Sequence, residues 1–257
     1  MRFSVLASGS GGNACYVETP NTKVVIDSGL SCRELIHRLD MIGMGSDHLD
    51  ALVITHEHSD HIKGAGPLSR RFDIPVYGNG ATLNKGMKTL GNISRPLAIC
   101  TGQTITINDL KIETFTKCHD AVDPMGLVIS SKGSRLGLIT DLGRSTRLVE
   151  ERLKDCNALI IEFNHDLEML DKGTYPLYLK RRIRGQEGHL SNQQAGELLE
   201  AVAHESLKKV VLAHISKENN LPDIAFEEAQ GALSKCSVSN TKILISRQDR
   251  PLPILDV

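Results

Sequence analysis

Tryptophan is absent from this chain, and aromatic side chains make up only 4% of its 257 residues, so a packed interior has to come from Ile, Leu, Val and Ala. No stretch approaches the roughly 18 consecutive apolar residues of a membrane-crossing helix. The start, Met1-Arg-Phe-Ser-Val-Leu-Ala-Ser-Gly9, also lacks the apolar length of a signal peptide. These absences exclude a membrane partner and lead to the expectation of a cytoplasmic protein. The six cysteines form no C-x-x-C pair, which argues against a thiolate zinc knot or a disulfide framework and for reduced thiols used as small hydrophobes. A charge excess is missing too. The formal net charge of −1 excludes a uniformly basic nucleic-acid binder, and any polyanion must be met by a local patch. Without internal repeats, low-complexity tracts or linkers, residues 1–257 read as one domain.

What the chain does have is Leu52-Val-Ile-Thr-His-Glu-His-Ser-Asp-His61, four potential metal ligands directly after one apolar run. Leu52 to Ile54 reads as the end of a buried parallel strand, where an open α/β sheet presents its ligand site. His56 and His58, two apart on an extended loop, point the same way, and Asp60 and His61 follow as the chain turns. Imidazole suits zinc, and a carboxylate beside it suits zinc or manganese.

Other strand ends carry further candidates. Phe3 to Leu6 reads as a strand broken by Ala7-Ser-Gly-Ser-Gly-Gly-Asn13, a loop that is either a tight turn or a wall of the site. Cys15 to Glu18 and Lys23 to Ile26 read as a hairpin, followed by a helix over Arg33 to Ile42. Pro75 to Tyr77 is a short strand, and Thr104 to Ile107 pairs with Leu110 to Phe115 around Asn108-Asp109. His119 comes just beyond. Gly126 to Ser130 and Leu136 to Thr140 form a second hairpin that runs into Asp141, a carboxylate at a buried strand end that needs a partner. After a helix over Thr146 to Leu153, the strand Ala158 to Phe163 carries Glu162 and leads to His165. Ser191-Asn-Gln-Gln194 is a capping box opening an amphipathic helix, and Val210 to Ala213, the last strong strand, delivers His214.

As H-x-H-x-D-H followed in order by His119, Asp141 and His214, these motifs resemble the metallo-β-lactamase superfamily. The resemblance implies an α/β fold, a four-layer αββα sandwich, with two divalent ions, Zn or Mn, Fe being admissible. It also implies that His56, His58 and His119 hold one ion and Asp60, His61 and His214 the other, with Asp141 between them. Within the superfamily, an aspartate at 141 argues against the antibiotic-cleaving enzymes. Ser8 to Asn13, Thr55 to His61, Glu162 to Asp166, Gly188 to Asn192 and His214 to Asn220 resemble the YycJ (WalJ) family, to which 5′ to 3′ exonuclease activity on DNA is attributed.

That resemblance implies a metal-activated hydroxide attacking a phosphodiester, with Asp60 orienting it, His189 donating toward the leaving oxygen and Glu162 orienting His189 or His165. His189 stands just ahead of a helix N-terminus, a setting that favours anions. His165 either touches substrate or supports the metal ligands. Lys180, Arg181, Arg182 and Arg184 put four cations in five positions between Glu162 and His189, within reach of a nucleic-acid backbone. Tyr175 and Tyr178 just upstream either stack a base or anchor the segment. Two other readings stay open: a small-molecule hydrolase of a cyclic phosphodiester or thioester, and a non-catalytic nucleic-acid-binding scaffold.

Overall fold

A computed structural model describes residues 1–45, 48–238 and 240–257. The chain first runs β1 (Arg2–Ala7), β2 (Ala14–Glu18), β3 (Lys23–Ile26), α1 (Cys32–Met41), β4 (Ala51–Val53), α2 (Ser59–Ile62), α3 (Ala65–Phe72), β5 (Pro75–Asn79), α4 (Gly80–Lys85), α5 (Met87–Leu90) and β6 (Arg95–Ile99). It continues through β7 (Thr104–Ile107), β8 (Leu110–Thr116), β9 (Met125–Ser131), β10 (Ser134–Ile139), α6 (Arg147–Leu153) and β11 (Ala158–Glu162). The last part is α7 (Leu167–Lys172), α8 (Leu177–Arg184), α9 (Asn192–Val202), β12 (Lys209–Ala213), α10 (Pro222–Lys235), β13 (Lys242–Ile245) and β14 (Leu255–Asp256).

The strands form two seven-stranded sheets, ordered β14-β1-β2-β3-β4-β5-β6 and β13-β12-β11-β10-β9-β8-β7. Each is antiparallel in its hairpin part and parallel elsewhere: β3 to β6 in the first sheet, β10 to β13 in the second. Period-2 alternation explains how they stack. In β4, Ala51 and Val53 join a core shared with Leu127 and Ile160 of the other sheet, while Leu52 packs with Leu35 and Leu68 of the helices outside. In β12, Val211 and Ala213 face the shared core, and Val210 and Leu212 face Leu199 and Ala229 of α9 and α10. Three apolar layers therefore separate four layers of structure, αββα, as the motifs led us to expect. Among the described residues no helix is long and apolar enough to cross a membrane.

Local chemistry sets the boundaries. Ser191 caps α9 through Gln194 N, and the Gln194 side chain returns to the Ser191 N–H, the expected capping box. Asn108, with φ 50°, makes the tight turn between β7 and β8. The segment between Glu162 and His189, which holds the basic run, folds as α7 and α8. Val210 to Ala213 is the last fully buried run of the second sheet, and a weaker strand follows it. The strand β13 pairs parallel to β12, but as an edge strand its Ile243, Leu244 and Ile245 are only half-buried, and such a short run signals little.

One glycine decides how the halves of the first sheet's upper edge meet. A Cβ on Gly29 would stand 1.6 Å from the Asp60 carbonyl oxygen, because Asn13 N and Asp60 O bond at 2.7 Å and Ser28 N and His61 O at 2.7 Å across this crossing. We expect Gly29→Ala to cost about 3 kcal/mol, the upper range for overpacking. An unchanged midpoint in chemical denaturation would show that the crossing is looser than described.

Candidate metal centre

Strand ends deliver the site. Asp27 follows β3, His56 and His58 follow β4, and α2 carries Asp60 and His61; from the second sheet, His119 follows β8, Asp141 follows β10, Glu162 closes β11 and His214 follows β12. Asp27, Asp141 and His214 have φ of 57°, 54° and 55°, the left-handed region that costs a residue with a side chain about 1 kcal/mol. Among the described non-glycine residues only seven do this, so three at one centre is a concentration of strain.

His56, His58 and His119 bring ligand atoms within 4.8 Å of one another, and so do Asp60, His61, Asp141 and His214. Ligand atoms about 2.1 Å from a tetrahedral ion stand about 3.4 Å apart. Here His58 Nδ1 and His119 Nε2 are 3.2 Å apart. His61 Nε2 is 3.1 Å from Asp141 Oδ2 and 3.6 Å from Asp60 Oδ2, and His214 Nε2 is 3.4 Å from Asp141 Oδ1 and 3.7 Å from Asp60 Oδ2. Asp141 Oδ1 also lies 3.9 Å from His119 Nε2, which puts this carboxylate between the two sets.

The outward ring atoms are already engaged. His61 Nδ1 meets Asp27 Oδ2 at 2.7 Å, His119 Nδ1 meets Gly188 O at 3.1 Å, His214 Nδ1 meets Glu162 Oε1 at 3.1 Å and His56 Nδ1 meets Thr55 Oγ1 at 3.0 Å. Such partners fix the tautomer that leaves Nε2 for a metal. His56 Nε2 and His214 Nε2 are buried and make no hydrogen bond, a cost that a bound cation removes. The donor set fits divalent metal.

A profile of the β-lactamase superfamily domain matches residues 22–215. The chain is 38% identical over 227 residues to exodeoxyribonuclease YycJ of Bacillus anthracis, covering 88% of this chain and 86% of that one. It is 34% identical over 263 residues to exodeoxyribonuclease WalJ of Streptococcus pneumoniae strain D39, covering 100% and 98%. The chain belongs to the YycJ/WalJ family of the metallo-β-lactamase superfamily. In fold it is similar to the metallo-β-lactamase fold protein YhfI of Bacillus subtilis, with a TM-score of 0.74, 17% identity and 98% of each chain covered.

The charges of this family member differ between the two sets. Burial keeps His56 well below the usual imidazole range, and His119 falls to about 4, again mainly by burial. Both are neutral donors. Burial would lower His61 and His214 as well, but the Asp141 carboxylate outweighs it at both, helped by Asp27 at His61 and by Asp60 and Glu162 at His214. His61 rises to about 10 and His214 well above its ordinary value. The Asn13 amide, 3.0 Å from His61 Nε2, favours a free lone pair there, a weaker influence than two carboxylates.

Other expected residues fall as follows. His189 Nδ1 lies 2.9 Å from Glu162 Oε1, and both join Asp141 and His214 in a further cluster within 4.8 Å. His165 is buried and neither ring nitrogen makes a hydrogen bond; burial pushes it down to about 4. It does not bond Glu162, and its backbone instead bridges to Ser191. The basic run divides. Arg182 Nε pairs with Asp120 Oδ2 at 2.6 Å and lines a cavity of about 420 Å³ with Arg144, Cys118 and Gly188, whereas Lys180 and Arg184 bond Asp171 of α7. Arg181 is exposed on the same helix. Tyr178 is exposed and Tyr175 half-buried. The glycine loop is a wall of the site: Asn13 Nδ2 lies 3.2 Å from Asp60 Oδ2.

Asp27, Lys117, Asp120 and Arg144 were not among the site residues read from the sequence. Asp27 alone left a signal, a carboxylate directly after the apolar Val24 to Ile26. It also accepts from Thr55 N at 2.8 Å and Thr55 Oγ1 at 2.7 Å, so it sets both the motif's backbone and His61. Asp27→Asn is expected to weaken divalent-metal affinity about 10- to 100-fold, as read by competition with a chelating dye; equal affinities would remove it from the site. Because His61 and His214 hold protons at neutral pH that a metal must displace, metal binding is expected to release protons and to tighten as pH rises through neutrality toward about 10. Calorimetry in buffers of different ionisation enthalpy measures this, and a buffer-independent heat contradicts it.

Proposed function

We propose that the protein is a metal-dependent exodeoxyribonuclease that degrades DNA from 5′ to 3′ in the cytoplasm. In this reading two divalent ions, Zn or Mn, are held by His56, His58 and His119 and by Asp60, His61 and His214, with Asp141 shared. The observation that carries the phosphodiester reading is the Glu162–His189 pair set against the ligand cluster. The two relatives named as exodeoxyribonucleases, similar along most of their length, support DNA as substrate.

Bound there, the ions supply positive charge to phosphoryl oxygens and a water activated at neutral pH. The protein's own groups do the rest. Asp60, partly exposed at the cluster, orients the attacking water. With His189 Nδ1 bonded to Glu162, Nε2 is the ring atom open to substrate, and it donates toward the leaving oxygen. Glu162 touches no substrate; it positions His189 and His214. Arg182 and Arg144, on two walls of the cavity beside His119, contact the phosphate backbone, with Arg181, Lys180 and Arg184 adding charge along α8. His165 borders the same region through Ser191.

Purified protein, supplied with Mn or Zn, is expected to release mononucleotides from the 5′ end of end-labelled DNA, and chelation should abolish this. His189→Ala should keep its metal content and lose at least about 100-fold in turnover, while Asp141→Ala should lose metal. Full nuclease activity in His189→Ala would end the proposed role of that side chain. Hydrolysis of cyclic phosphodiesters or thioesters with DNA left intact would transfer the chemistry to a small molecule.

A further inference from the structure

Lys117 is a buried cation for which the reaction outlined above has no use. It stands two residues ahead of His119 and is 5% exposed. Its ammonium makes one hydrogen bond, donating to Thr140 O at 2.6 Å. Burying an ammonium costs several kcal/mol unless charges compensate, and one neutral carbonyl is poor compensation. That carbonyl belongs to the residue before Asp141, so the ammonium stands at a centre that holds four carboxylates, Asp27, Asp60, Asp141 and Glu162.

Counting charge gives this placement a purpose. Two divalent ions cancel the four carboxylates, and the proton that His189 donates toward the leaving oxygen adds one positive charge. Loss of a proton from the attacking water offsets that charge, and a phosphodiester then makes the centre negative in a region of low dielectric. A net negative centre turns that substrate away. A fixed cation behind the ligands restores balance without taking a coordination position.

We propose that Lys117 is a charge-setting residue of the metal centre: it keeps the loaded site from becoming negative, which admits an anionic phosphodiester and limits how tightly the divalent ions are held. The proposal rests on the two-ion reading above. It sets Lys117 apart from a packing residue, since methionine has nearly the same length and would pack without charge.

The test compares Lys117→Met and Lys117→Arg with the unaltered protein, after circular dichroism has shown the fold intact. Zinc affinity, measured by competition with a chelating dye, is expected to rise at least about tenfold in Lys117→Met and to return toward the starting value in Lys117→Arg. With bis(p-nitrophenyl) phosphate as the anionic substrate and p-nitrophenyl acetate as the neutral one, the ratio of their kcat/KM values is expected to fall at least about tenfold in Lys117→Met. Unchanged or weaker zinc binding in a folded Lys117→Met overturns the proposal, as does an equal loss on both substrates, which is the mark of a structural role. If Lys117→Met does not fold, Lys117→Gln, which keeps a donor for Thr140 O, carries the same expectations. Failure of the unaltered protein to cut any phosphodiester would count against the nuclease reading, while the zinc comparison would still decide the charge effect.

Discussion

Glu162 is fully buried at the last position of β11 and accepts hydrogen bonds from five donors on three separate segments: Asp141 N, Leu142 N, His189 Nδ1, Leu190 N and His214 Nδ1. Removing a carboxylate from water costs several kcal/mol, and charge-assisted hydrogen bonds return about 1.5–3 kcal/mol each, so an arrangement of this density is self-supporting. Burial would raise its pKa, but the His189 charge and the bonds from His189 and His214 hold it well below the usual carboxylate range. Asp141, His189 and His214 all owe their position to this one group. The metal ligands and the candidate substrate-binding histidine are therefore not independent features that happen to adjoin.

The two sheets contribute unequally to the centre. Asp27, His56, His58, Asp60 and His61 come from the edge of the first, and His119, Asp141, Glu162 and His214 from the edge of the second. Both sets of metal donors contain residues of each sheet, so cation binding adds to the shared apolar core and to hydrogen bonds such as His214 N to Ser8 Oγ in joining the two layers. The parallel strands make this possible. Their C-terminal ends lie side by side in register, as Ile161 with Leu212 and Glu162 with Ala213, and a polar residue placed after each apolar run reaches the same edge.

This logic also explains what could be read from the chain alone. Apolar runs in β1 to β4 and β9 to β12 identified the buried strands, and the density of ligands around His56 identified the site, because both are local patterns. Asp27 and Lys117 depend on partners far away in sequence, His61 at 34 positions and Thr140 at 23, and no spacing rule announces such pairs. The basic run is the opposite case. Its charge density is obvious, but Arg182 and Arg184 turn toward Asp120 and Asp171, and only the fold tells which cation stands beside the metal donors. Edge elements such as β6, mostly exposed, and β13, half-buried, are short and carry too little apolar pattern to be distinguished from loop.

Strain at the strand ends fits the same account. A left-handed residue reverses the chain within one step, which lets β3, β10 and β12 end abruptly at the rim of the sheet with a side chain still directed into the centre. For Asp27, Asp141 and His214 together the conformational cost is about 3 kcal/mol, and glycine, which would avoid it, has no ligand to offer. The cost is met at the backbone of the same residues: Asp27 N donates to Val53 O, Asp141 N to Glu162 and His214 N to Ser8 Oγ. Two of those three acceptors are side chains from outside the strand that is being ended, so Ser8 in the glycine loop and Glu162 on β11 hold the geometry in place. The glycine-rich loop thus matters to the centre twice, once as its wall through Asn13 and once as the acceptor that keeps His214 in a conformation it would not otherwise adopt.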